Sequence, residues 1–327
     1  MQCQEDLDIK LEELRVAVDS GLSGLARDRS PGELYDSVRY VLSGGGKRLR
    51  PLLLLLSADV FGADLQEARP LALAVELLHN FSLVHDDIMD HADTRRGRET
   101  VHVLWDTNTA ILCGDVLLAL AIESVSQVSS GKTAQLVQVF GEMLRELCEG
   151  QALDTAIETK QDLKTSDYLR MIDAKTGTLL SGSLEMGGIF GGADSHARLA
   201  LRTAGTSIGR AFQIQDDLLD VVADSQHWGK AHGGDLMEGK RTYLLLEACE
   251  RATGEDLAFF ERVRPGSGLD KQEIPKARER MEKLGVFDGA RARVRAYTHT
   301  ALAQVDLLPG DTSQLRALIN RMAARVH

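Results

Sequence analysis

LALAVELLHNFSLVHDDIMD, residues 71–90, decides the reading of the fold. Leu71, Leu73, Val75, Leu77, Leu78 and Phe81 space their apolar side chains as a buried helix does, and no alternation of period two is sustained. The run then ends in three carboxylates, Asp86, Asp87 and Asp90. Residues four apart lie about 40° from each other around a helix, so Asp86 pairs with Asp90. The same pattern returns as FQIQDDLLD, residues 212–220, where Asp216 pairs with Asp220. Like charges at that spacing repel, and an apolar helix gains nothing from them. Hard divalent cations turn the repulsion into coordination, because carboxylate oxygens suit Mg2+, which keeps waters and shares phosphate oxygens. A merely solvated acidic face fits poorly beside Phe81, Val84, Ile214, Leu218 and Leu219.

Helical spacing continues outward in both directions. Leu7, Ile9, Leu11, Leu14 and Val18 open the chain, Leu34, Val38 and Val41 follow, and longer runs cover 110–125, 133–156, 166–190 and 196–222. The runs break at the glycine- and serine-rich stretches 43–46, 129–131, 191–194 and 265–268. No Pro/Ser-rich linker divides them, so the expectation is one all-α domain over 1–327 with about ten or more helices. Composition agrees: 43% of the 327 residues are apolar and only 6 are proline, which suits a large helical core and excludes disorder. A net charge of -11 argues against nucleic acid as the main partner. Cys3, Cys113, Cys148 and Cys249 form no CxxC pair and read as reduced thiols. The acidic, amphipathic start is no signal peptide, and the most apolar run, 51–60, is too short to span a bilayer. A soluble cytoplasmic enzyme, not an integral membrane protein, is expected.

Fixed positive charge accompanies the carboxylates. GGGKRLRP at 44–51 joins a glycine turn to Lys47, Arg48 and Arg50 at a helix start, where backbone N–H groups and basic side chains together make an anion site. DTRRGR at 93–98 follows the first aspartates directly. Lys175 and Thr176 interrupt an apolar helix, where an unpaired ammonium is expensive. Lys230, Lys240 and Arg241 flank the glycine-rich stretch 225–239, which reads as a lid. Each cluster alone is ordinary surface charge. Beside two acidic motifs in a net-acidic chain, they point to a metal-bridged, multiply charged phosphate ligand in an otherwise apolar pocket.

On these motifs the chain resembles the trans-isoprenyl diphosphate synthases of the polyprenyl synthetase family, most closely the short-chain geranylgeranyl type. The matching stretches are GGGKRLRP, LLHNFSLVHDDIMDHADTRRG, KTGTL, FQIQDDLLD and GKAHGGDLMEGKRT. The resemblance implies a single large helical bundle with a central apolar cavity, and a homodimer. It implies that Lys47, Arg50, His79 and Arg96 hold isopentenyl diphosphate, and that Arg95, Lys175, Thr176, Gln213, Lys230 and Lys240 hold the allylic diphosphate. Asp86, Asp90 and Asp216 match magnesium ligands, with Asp87 and Asp220 supporting, for three ions bridging the motifs and the allylic diphosphate. Asp86, Asp90, Asp216, Lys175 and Lys240 carry catalysis in this assignment. His79 stands seven residues before Asp86, about 20° away around the helix, which favours the site over the core. His91, Leu244 and the ending AARVH depart from the family pattern without removing a catalytic group.

The implied reaction is a head-to-tail condensation of isopentenyl diphosphate with dimethylallyl, geranyl or farnesyl diphosphate. A terpene cyclase needs no second diphosphate site, and a non-catalytic partner subunit would have lost an aspartate motif, so neither competes well. Product length is expected to be set on the first aspartate helix, where one turn rises about 5.4 Å, close to one extended five-carbon unit. Ser82, four before Asp86, is small and does not stop the chain. The wheel places Phe81 off the aspartate face; the family pattern nevertheless makes it the floor, with Leu78 and Val75 as later stops. A C20 product is expected, with C15 and C25 as the alternatives.

Overall fold

Residues 2–128, 131–160, 162–222 and 233–324 are described by the structure, a computed structural model. They are almost wholly helical: α1 (Gln2–Ala26), α2 (Gly32–Leu42), α3 (Leu49–Val60), α4 (Leu65–Met89), α5 (Val101–Leu104), α6 (Thr107–Ser126), α7 (Thr133–Thr159), α8 (Thr165–Ile172), α9 (Thr178–Gly191) and α10 (Ser195–Val222). There follow α11 (Gly234–Glu238), α12 (Tyr243–Arg251), α13 (Gly254–Glu261), α14 (Ile274–Lys283), α15 (Val286–Val305) and α16 (Ser313–Ala324). A two-stranded hairpin, β1 (Thr94–Arg95) with β2 (Arg98–Glu99), is the sheet among the described residues. The chain divides into two compact units, one of 1–145, 179–202 and 305–318, the other of 146–178, 203–304 and the remainder from 319.

In the first unit, α4 packs between α3 and α6. Leu53, Leu54, Leu71, Leu77, Leu78 and Leu117 are fully buried there. Each contributes about 1.5–3 kcal/mol by leaving water, which makes α4 the rigid element of the unit. Asp64 starts the helix by accepting from the Gln66 N–H. His91 ends it in the left-handed region at φ 50°, with Ala92 N–H bonded to Asp87 C=O and His91 N–H to Ile88 C=O. That is a Schellman stop with histidine where glycine is usual, so the departure at His91 falls on the helix terminus rather than on a ligand.

The sequence placed the most apolar run at 51–60, but α6 is the longer one. It is long and apolar enough to cross a membrane by length and composition, with mean hydropathy 1.7. Its Leu117 and Leu120 side is buried, as in a core helix. A β-carbon at Gly114 would stand 2.2 Å from His85 Nε2, so glycine is what lets α6 come this close to α4.

The second unit is centred on Tyr168, Ile214, Leu218, Tyr243, Leu244, Phe260 and Met281. Leu244, the departure from a frequent proline, is completely buried in the first turn of α12 and adds core contacts there.

Candidate active site

The basic site belongs to the first unit. The glycine turn ends at Lys47, which is exposed, and Arg48 follows in the left-handed region at φ 49° with a 2% exposed side chain. Arg48 donates to Asp19 and to the buried Glu76, both at 2.7 Å, and so pins the turn to α4. Arg50 follows as the second residue of α3, and its buried Nε has no partner among the described residues. His79 Nδ1, on α4, is buried and unpartnered as well. Orphaned buried donors cost stability, so a pair of them beside arginines marks a place built for an anion. Burial pushes Arg50 down to about 10, with Glu76 opposing and Arg96 adding, so it stays charged at neutral pH. Burial and then Arg50, Arg96, Arg95 and Arg48 hold His79 well below its ordinary value, which leaves it neutral.

Arg96 arrives on the hairpin. Its register pairs Thr94 with Glu99 and Arg95 with Arg98, leaving Arg96 and Gly97 as a two-residue turn with φ of 53° and 74°. Both values are positive, as a type I′ turn requires, yet the first place holds arginine rather than Asn, Asp or Gly. The strain, about 1 kcal/mol, is of the kind that functional sites store. Its reward is that Arg96 Nη1 reaches the Gly45 carbonyl and fixes the hairpin against the glycine turn. Between α2, α4 and this hairpin lies a cleft lined by Asn80, Val84, Asp87, Arg95 and Arg96 among others.

Both aspartate motifs stand at helix C-termini, where the helix dipole already makes the field negative. Asp86 is half-buried and Asp90 exposed, while Asp87 is 5% exposed and accepts from Arg95 Nε at 2.6 Å. Burial raises the Asp87 carboxyl above its usual range, and Arg95 opposes it. Carboxylates gathered against a helix dipole fit a divalent cation. Among the described residues no three His, Cys or carboxylate groups form a cage. Each pair could supply part of a shell that waters and phosphate oxygens would complete, which is how Mg2+ is usually held.

In the second unit the run 166–190 is not one plain helix. Residues Asp173–Gly177 form a single π-helical turn between α8 and α9, and they carry Lys175 and Thr176. Such turns widen a helix and recur at functional sites. Two glycines make room for this one: a β-carbon at Gly150 would meet Lys175 N at 2.5 Å, and one at Gly209 would meet Gly177 Cα at 2.7 Å. Arg210 grips the turn through both carboxylate oxygens of Asp173, at 2.7 and 2.6 Å. Lys175 is half-buried and paired with Asp154 at 2.6 Å, which answers how an ammonium is tolerated on that helix.

Asp216 and Asp220 are half-buried on α10. Asp220 accepts from Asp235 N–H at 3.1 Å and so seats α11, whose Glu238 and Asp235 lie 2.6 and 3.7 Å from the Lys240 ammonium. Gln213 Nε2 donates to Asp217. Lys230 and much of the expected lid fall outside the described residues.

On α4, Val75 and Leu78 are fully buried, and Phe81 and Ser82 are 9% and 8% exposed. The Ser82 hydroxyl turns back to the His79 carbonyl, and the edge of His85 meets the Phe81 ring with centroids 4.7 Å apart. Glu76, Asp154, Tyr168 and Asp235 were not picked out from the sequence. The partners of Glu76, Asp154 and Tyr168 lie far along the chain, where nothing local announces such pairs, whereas Asp235 stands only five residues before its partner Lys240.

Helical architecture, a basic site and two carboxylate pairs fit a class: enzymes that handle diphosphates with magnesium. The chain belongs to the polyprenyl synthetase family, whose pattern matches residues 31–281, and it is a prenyltransferase making short-chain prenyl diphosphates. It is 42% identical over 242 residues to a geranylgeranyl diphosphate synthase of Methanosarcina mazei, covering 73% of this chain and 75% of the relative. It is 35% identical to a geranylfarnesyl diphosphate synthase of Natronomonas pharaonis, covering 99% and 98% of the two chains. The crystal structure of geranylgeranyl pyrophosphate synthetase from Pyrococcus horikoshii superposes with a TM-score of 0.92 at 35% identity, covering 98% of this chain and 99% of that one. Fold class and family therefore stand as expected from the sequence. Magnesium dependence is general in the family.

Proposed function

We propose that the protein condenses isopentenyl diphosphate with an allylic diphosphate to give geranylgeranyl diphosphate, the C20 product. The observation that carries this reading is the pair of orphaned buried donors, Arg50 Nε and His79 Nδ1, on the unit that also bears the first aspartate motif. A cyclase has no use for a second anion site. Geranylgeranyl synthases among the similar proteins support the chain length.

Lys47, Arg50, neutral His79 and Arg96 bind the isopentenyl diphosphate and hold its double bond at a fixed distance and angle. Asp86, Asp90 and Asp216, supported by Asp87 and Asp220, would hold three magnesium ions on the allylic diphosphate. Bound there, magnesium absorbs the negative charge that grows on the leaving diphosphate. Lys175, Thr176, Gln213 and Lys240, with Arg95 and Lys230, bind the same diphosphate and stabilise its departure from the allylic carbon. The apolar faces of the aspartate helices exclude water from the allylic cation while the isopentenyl double bond attacks it. The new cation then gives a proton to the released diphosphate, and the chain is five carbons longer.

The working form is proposed to be a homodimer. Support comes from α5 and α6, which expose Val103, Leu104, Ile111, Leu112 and Ile122 at 40–53% on one unit. A second copy of the chain is the proposed occupant of that face. The test of the activity is direct: purified protein, magnesium, isopentenyl diphosphate and each allylic starter, with the dephosphorylated products separated by reversed-phase chromatography. A cyclised hydrocarbon, or no product at all, would overturn it.

A further inference from the structure

Asp217, the second carboxylate of the second motif, is 3% exposed, and both of its oxygens are taken by protein donors. The Tyr168 hydroxyl on α8 donates to Oδ2 at 2.8 Å. The backbone N–H of Tyr243, first residue of α12, donates to the same oxygen at 3.0 Å. Gln213 Nε2, one turn back on α10, donates to Oδ1 at 3.1 Å. A buried carboxylate is tolerated only when its oxygens are satisfied, so these three donors are held as firmly as the acceptor.

Each donor belongs to a different arm of the site. Tyr168, itself 5% exposed, stands two helical turns before Lys175 on the helix that widens into the π turn. Tyr243 stands three residues after Lys240 and opens the helix that the Lys240 loop leads into. Gln213 shares α10 with Asp216. The hydroxyl of Tyr168 thus meets, on a single carboxylate, the starts and ends of the segments that carry the second unit's cations.

We propose that Tyr168 is a positioning residue: through Asp217 its hydroxyl locks the Lys175 helix and the Lys240 loop to the second aspartate helix, and so sets the spacing that recognises the allylic diphosphate. This rests on the assignment of Lys175 and Lys240 to that diphosphate. Tyr168→Phe removes one oxygen and keeps the packing. The KM for farnesyl or geranyl diphosphate should rise about five- to tenfold, the loss of one hydrogen bond, while the KM for isopentenyl diphosphate moves less than twofold. Equal rises in both constants, or no rise in either, would overturn the proposal, since a merely structural tyrosine has no reason to prefer one substrate.

A second variant guards against a folding artefact. In an Asp217→Asn background, Tyr168→Phe should add less than twofold to the allylic KM, because both act through one contact. Independent multiplication of the two effects counts against the coupling. If Lys175→Ala and Lys240→Ala leave the allylic KM unchanged, the underlying assignment is wrong and the proposal falls with it. If they raise it and Tyr168→Phe does not, the tyrosine alone has been misread.

Discussion

Charge placement sets the strongest expectations at the level of single residues. Asp86 and Asp216 sit against helix dipoles that make carboxylates unfavourable without a cation, so their value is spent on charge developing at the leaving group. Asp86→Ala or Asp216→Ala is expected to lower turnover by about 100-fold or more in a steady-state assay, and near-normal rates in either would remove the magnesium assignment. The cations divide by substrate. Lys47→Ala and Arg96→Ala should chiefly raise the KM for isopentenyl diphosphate, whereas Lys175→Ala and Lys240→Ala should weaken the allylic substrate and slow ionisation. One shared kinetic profile for all four would dissolve the two-site partition. His79 gives a pH signature. Burial and neighbouring arginines hold it well below its ordinary value near 6.5. Below pH 6.5 the unfolded chain therefore binds a proton that the folded chain refuses, and stability falls by up to about 1.4 kcal/mol per pH unit. His79→Gln lacks that proton, so melting curves from pH 7.5 down to 5 should show its Tm falling less steeply than that of the parent protein. Parallel slopes would mean His79 is not buried neutral.

At the level of elements, α4 is expected to be the ruler of product length. Phe81 and Ser82 are nearly buried just below the aspartates, with Leu78 and Val75 sealed one and two turns further down. His85 props the Phe81 ring from the α6 side, where its Nε2 meets the Ile111 carbonyl at 3.2 Å. Phe81→Ala is expected to lengthen the product towards C25, and Ser82→Phe to shorten it towards C15, read by chromatography of the dephosphorylated chains. Unchanged lengths in both variants would place the stop on another wall, such as α6 around Leu117. The helices themselves were largely legible from periodicity; α10 spans 195–222 where spacing put it at 196–222. The π turn was not, because DAKTG has ordinary helical spacing and the widening comes from Gly150 and Gly209, far away in the chain. Asp154 escaped for the same reason: an ion pair across 21 residues leaves no local pattern. The aspartate pairs were legible because each lies along one helix, Asp86 with Asp90 at the end of α4 and Asp216 with Asp220 on α10, whereas His79 entered through the family resemblance.

For the whole molecule, the open question is what covers the apolar side of α5 and α6. Leu112 and Ile122 are each 53% exposed, and Ile111 and Leu104 are 43% and 44% exposed beside them. A row of large aliphatic side chains on one face exceeds the scattered singles of an ordinary surface. An isologous two-fold contact would cover such a face with itself, so residues of α6 would meet residues of α6. A stable contact of this sort buries about 1,200 Å² or more in total and tolerates little unpaired charge at its centre, where the exposed Asp115, 4.0 Å from His85, already lies one turn from Ile111. Leu112→Glu places one carboxylate from each copy in that centre, where they repel across the axis. Light scattering on the parent protein should therefore give twice the 35.7 kDa chain mass, and Leu112→Glu should halve it. Because α6 packs directly on the motif-bearing α4, the separated chain is also expected to lose several-fold in turnover while its helical circular dichroism is kept. A parent protein that scatters as a single chain, or a Leu112→Glu variant that stays double, would show that this face is covered by something other than its own copy.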